Sequence, residues 1–146
     1  RGSLWLKIGR ASARGKRAAA GESRAPRVRL ARAMSAMAVW RPLAGLSGAA
    51  AVVAAAYGAH GFKPQDPAFV RTFENGKTMH LLHSVMMVAG PLAARWPHVT
   101  GALFTAGTAL FSGSCYLSAL KEDKSLGRLA PYGGMALIAA WLTLVP

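Results

Sequence analysis

"GALFTAGTALFSGSCYLSAL", residues 101–120, contains no Asp, Glu, Lys or Arg. The helix of a water-soluble bundle returns to a polar face every three or four residues, and no face of this stretch offers a charge to water. A helix needs about 20 apolar residues to cross the hydrocarbon of a bilayer, so the stretch predicts a membrane span. Three further charge-free runs bear the same reading. With the run around the quoted stretch, they cover 42–62, 78–94, 96–120 and 129–146, which are 21, 17, 25 and 18 residues long. Apolar residues make up 53% of the chain and charged residues 16%, and the two are segregated along the sequence.

The predicted fold is therefore all-α, an integral membrane bundle of four short transmembrane helices over about 43–60, 78–94, 97–119 and 129–146. The connections fit. Residues 63–77 hold Pro64, Gln65, Asp66 and Pro67 among cations, "RWPH" (95–98) forms an interfacial turn with Trp96 at the boundary where Trp is enriched, and "KEDKSLGR" (121–128) is a solvated loop. Residues 42–146 form one domain with no internal repeat.

Residues 1–41 differ in kind. They carry eleven Lys or Arg and a single acid, Glu22, and so most of the formal net charge of +13. The cations lie in an Ala, Gly and Ser-containing tail without interleaved aromatics, so nucleic acid is not an expected partner. An Arg-rich, acid-poor start of this kind resembles a mitochondrial targeting segment. The tail is expected to be disordered or a targeting segment. With Met34 and Met37 as natural starts, 1–33 also fits upstream translation. "RPLAGLSGAAAVVAAAYGA" (41–59) has in addition the build of a secretory signal, which leaves the secretory pathway or plasma membrane as the alternative location to the mitochondrial inner membrane.

Orientation follows the Lys and Arg count near span ends. Arg41 and Arg95 lie on one side; Lys63, Arg71, Lys77, Lys121, Lys124 and Arg128 lie on the other. The longer loops are thus expected on the positive-inside face, unless the basic tail is retained.

Antiparallel spans bring most polar side chains into one leaflet. The candidate cluster is His60 at the end of helix 1, His80, His83 and Ser84 beginning helix 2, Ser112, Cys115 and Tyr116 late in helix 3, and Tyr132 opening helix 4. His80 and His83, spaced i and i+3, are weak candidates for a metal, because zinc sites generally add a carboxylate or thiolate with a fixed second shell. Glu74, the nearest carboxylate, is placed in the loop. Imidazoles and hydroxyls bonding one another across helices are the expected arrangement, and no metal, cofactor or catalytic residue is predicted. Close helix approach is expected at small residues: Gly45 and Gly48 on helix 1, the stripe Gly101, Thr105, Thr108 and Ser112 on helix 3, and Gly133 and Gly134 on helix 4.

"LAGLSGAAAVVAAAYGAHG" (43–61), "HLLHS" (80–84), "GTALFSGSCYLSAL" (107–120) and "LAPYGG" (129–134), in this order, resemble the transmembrane protein 256 family, small integral membrane proteins of bacteria and mitochondria with no established activity. The resemblance covers about 43–146 and implies that the first hydrophobic segment is retained as a helix. It implies no reaction. The expected role is that of a structural or accessory component that meets lipid and other inner-membrane proteins, or a larger complex, through helix contacts. The alternative is a membrane enzyme or carrier that uses the His/Tyr/Cys cluster for a metal, a quinone or protons.

Overall fold

A computed structural model describes the backbone of residues 2–145 and the side chains of Arg27, Val28 and 30–145. The side chains of most of the tail's cations, up to Arg24, lie outside the described residues. The described residues are helical and contain no strand: α1 (Gly2–His60), α2 (Ala68–Ala93), α3 (Pro97–Lys121), a 3-10 turn (Lys124–Leu129) and α4 (Ala130–Leu142). The chain divides into two compact units, Arg1–Met34 and Ser35–Pro146. The side-chain contacts described below lie within the second.

Among the described residues, two helical stretches are long and apolar enough to cross a membrane, Leu30–His60 and Pro97–Lys121. α1 begins at Gly2 rather than near residue 43, and the other two helices also depart from the sequence expectation. α2 begins at Ala68, ten residues before the charge-free run. Phe69, Phe73 and Gly76 recur at four and three residues and are buried, while Arg71, Glu74 and Lys77 turn to another face, where Glu74 and Lys77 form an ion pair. The charge-free run therefore marks where hydrocarbon can begin, whereas the helix begins where its apolar face finds a neighbour. Glu74 accordingly lies in the helix and not in a loop. "HLLHS" (80–84) lies in the middle of α2 rather than in its first turns.

α4 has 13 residues, about 20 Å at 1.5 Å per residue, which is short of the ~30 Å hydrocarbon thickness. Residues 124–129 tighten into a 3-10 turn. Asp123 caps it by accepting bonds from the backbone N–H (2.8 Å) and hydroxyl (2.8 Å) of Ser125.

α3 is the central helix, packed by α2 on one side and α4 on another, and its buried residues run its whole length. The principal apolar core joins Ala44 of α1, Met87 of α2, Phe104 of α3 and Leu137 and Ala140 of α4. A second cluster sets Phe69 and Phe73 against Ala119.

Glycines set the closest approaches. A Cβ on Gly133 would meet the backbone of Phe111, with Cα at 2.8 Å and the amide nitrogen nearer still, and the carbonyl of Gly107 at 2.9 Å. A Cβ on Gly107 would meet Leu137, and one on Gly101 the indole of Trp40. Gly48 and Gly134 have only ordinary contacts, at 3.9 and 3.7 Å, and nothing lies within 4 Å of a Cβ built on Gly45. Gly45 is therefore no part of a seam within this bundle.

The α1–α2 and α3–α4 loops meet at one end. Glu122 closes α3 in the left-handed region (φ 50°), a conformation that costs a residue with a Cβ about 1 kcal/mol or more. Its carboxylate accepts the backbone N–H groups of Gln65 (3.1 and 3.2 Å) and Asp66 (3.2 Å). Such charge-assisted bonds offset the backbone cost.

Candidate functional site

Three helices supply the polar centre. α1 brings Ser47, α2 brings His80 and Ser84 one turn apart, and α3 brings Tyr116. Ser84 Oγ lies 2.7 Å from the His80 carbonyl, Ser47 Oγ lies 2.7 Å from Ser84 Oγ and 3.1 Å from His80 Nε2, and Tyr116 Oη lies 3.2 Å from His80 Nδ1.

The direction of each bond follows from counting hydrogens. A carbonyl only accepts, so the Ser84 hydroxyl donates to it, and Ser47 must donate to Ser84. Ser47 has then used its hydrogen and accepts from Nε2–H of His80. A neutral imidazole is left with a lone pair on Nδ1, which takes the Tyr116 hydroxyl. Every hydrogen is used once, and the chain ends on a carbonyl that cannot pass a proton on. This is a closed network that fixes α1, α2 and α3 against one another.

His83 belongs to a different set. It is 2% exposed. Its Nδ1–H donates to the carbonyl of Met79 (2.8 Å), and its Nε2 accepts Nε1–H of Trp141 on α4 (3.3 Å). Its ring packs against Phe104 and Trp141, with centroids at 5.9 and 6.3 Å. The two imidazoles share a helix but serve different neighbours, and all four ring nitrogens are engaged within the protein. That arrangement leaves no free lone pairs converging on a common point for a metal.

The structure places the other candidates as follows. Ser112 is 2% exposed, and its hydroxyl has no partner. Cys115 is buried as a free thiol against Gly76 at the α2–α3 crossing. His60 is exposed at the end of α1, and Tyr132 is 66% exposed. Neither joins the cluster. Of the α3 stripe, Gly101, Thr108 and Ser112 are buried and Thr105 partly so. The hydroxyls of Thr105 and Thr108 donate back to the carbonyls of Gly101 (2.8 Å) and Phe104 (2.7 Å) within their own helix. At the far end of the bundle Thr100 and Thr143 tie α3 to α4 with hydroxyls 2.7 Å apart.

Sequence reasoning left Ser47, Trp141, Thr143, Gly76, Gly90 and Gly107 out of its candidate sets. One signal was available: Gly76, His83 and Gly90 recur every seven residues and are all buried on one face of α2. Ser47 and Trp141 left no such signal, because their partners depend on helix offset.

The chain matches the family model described as "Protein of unknown function (DUF423)" over residues 54–134. It is 34% identical over 121 residues to UPF0382 membrane protein C1782.12c of Schizosaccharomyces pombe, covering 75% of this chain and 99% of that one. It is 31% identical over 116 residues to UPF0382 membrane protein YwdK of Bacillus subtilis (75% and 94% covered). Against UPF0382 membrane protein SSP2132 of Staphylococcus saprophyticus it is 31% identical over 114 residues (75% and 95% covered). No solved structure matches the chain.

Proposed function

This chain belongs to the DUF423 family of UPF0382 membrane proteins, and from that premise we propose that it is a structural or assembly component, its bundle crossing the membrane four times and joining other membrane proteins through α1. The observation that carries this reading is the outer face of α1. Only 11% of the apolar window in Leu30–His60 is buried. Gly45, Ala49, Val53 and Ala56 are partly or wholly exposed along it, with open space over Gly45. In hydrocarbon, helices associate through small residues that let backbones approach closely, and this spacing of four, four and three suits a second helix.

The charge-free part of α2 and the short α4, packed against α3, need not each match the hydrocarbon thickness alone. Residues 129–145 continue α4 at both ends with uncharged chain, and Arg71, Glu74 and Lys77 suit the first turns of α2 to the headgroup region. The mitochondrial inner membrane is the membrane we propose, supported by the Arg-rich, acid-poor N-terminus. A proton carrier is the less favoured reading, since the hydrogen-bond chain through His80 ends on a carbonyl.

Affinity purification of the full chain in mild detergent tests the proposal. A defined partner should co-purify in stoichiometric amount, and Gly45→Leu, which blocks close approach without disturbing the bundle, should release it. Purification of the chain alone, or of the same partner with Gly45→Leu, would overturn the proposal.

A further inference from the structure

Between α1, α2 and α3 lies a cleft of about 230 Å³. One water needs only about 10–15 Å³ of such space, so the cleft has room for a group of several non-hydrogen atoms. Ser47, His80, Ser112 and Tyr116 line its polar side, and Leu43 and Met87 its apolar side.

Ser112 is the unexplained member. A buried hydroxyl without a partner costs about 1–3 kcal/mol, and the neighbouring Thr105 and Thr108 avoid that cost by bonding to their own helix. Ser112 does not, although the Thr108 carbonyl lies one turn behind it and its oxygen is fully covered in the rotamer observed. Ser112 lines the cleft, and a rotation about Cα–Cβ is what would turn its hydroxyl into it. With bond directions fixed as above, Tyr116 Oη and Ser47 Oγ keep acceptor lone pairs, while their hydrogens are used. With Ser112 so turned, the cleft offers one donor and two acceptors. No Asp, Glu, Lys or Arg lines it, so a charged head would enter hydrocarbon without a counter-ion, at high cost.

We propose that this cleft is a binding site for a neutral amphiphile drawn from the bilayer. Its hydroxyl head accepts from Ser112 and donates to the oxygen of Tyr116 or Ser47, and its chain lies along Leu43 and Met87. The site is independent of the outer face of α1.

The test uses the full chain in lipid nanodiscs and a dodecanol that carries an alkyl diazirine, with labelled peptides mapped by mass spectrometry. The label should fall within 43–47, 80–87 and 105–116. Unlabelled dodecanol should displace it about fivefold better than dodecane or dodecanoate, roughly the worth of one hydrogen bond. Ser112→Ala should abolish that preference while unfolding at the same or a higher temperature. Gly113→Leu gives a second route: Gly113 lines the cleft and a Cβ there meets nothing within 4 Å, so a leucine should occupy the cleft and remove the label from a folded protein. Equal displacement by dodecane would show a bare acyl groove and overturn the proposal. So would preference for dodecanoate, label outside these segments, or undiminished labelling of folded Gly113→Leu.

Discussion

Gly133→Ala adds one methyl group at the tightest point of the bundle, where α4 crosses α3. The new Cβ would lie 2.8 Å from Phe111 Cα and 2.9 Å from the Gly107 carbonyl oxygen, and nearer still to the Phe111 amide nitrogen. All three are backbone atoms of a helix packed on both sides, so no rotamer change relieves the overlap and the helices must part. Overpacking costs typically about 1–3 kcal/mol, and the backbone nature of this contact sets the upper end. Alanine regains at most about 1 kcal/mol of helix propensity over glycine. The net expectation is a loss of about 2 kcal/mol, roughly 30-fold in the folding equilibrium. Reversible unfolding in mixed micelles, followed by tryptophan fluorescence, measures it, with Gly45→Ala as the internal control. Nothing lies within 4 Å of the new methyl at Gly45, so that variant should gain about 0.5–1 kcal/mol by the same propensity argument. If Gly133→Ala matches or exceeds the parent, or the two variants behave alike, close backbone packing is not what joins α3 to α4.

Trp141→Phe keeps an aromatic ring but loses the smaller ring of the indole and, with it, the N–H that satisfies His83 Nε2. At 3.3 Å the bond is long, so the expected loss is about 1 kcal/mol, read in the same unfolding assay; an unchanged midpoint would show that His83 is held by packing alone. At the surface, the bonds from Ser125 hold the Asp123 carboxyl below its ordinary value. A depressed carboxyl contributes stability that is present above the unfolded value of 3.8 and fades as pH falls through the folded one. Hydrogen exchange at the Ser125 amide should therefore speed up below about pH 4 in the parent and be fast at every pH in Asp123→Ala. A rate independent of both pH and substitution, once the intrinsic pH dependence is removed, would refute the cap.

The membrane character of this chain was legible in one dimension, because hydrocarbon excludes charge and so leaves charge-free runs long enough to count. Residues 101–120 state it without reference to any neighbour, and the C-terminal end of α1 and both ends of α3 fall where the runs predict. Even the internal pairing of the imidazoles was foreseeable in kind, since a polar group in hydrocarbon must find a partner. Which partner it finds was not. Ser47 reaches His80, Trp141 reaches His83, and Gly133 rather than Gly45 touches a backbone, because those outcomes depend on how far one helix slides and turns against the next. The start of α2 was hidden for the same reason: Phe69 and Phe73 extend that helix beyond the apolar run only because Ala119 and Tyr116 of α3 stand there to cover them. Sequence fixes what each side chain must avoid, and the offset between helices, a sum of many small contacts, decides what it meets.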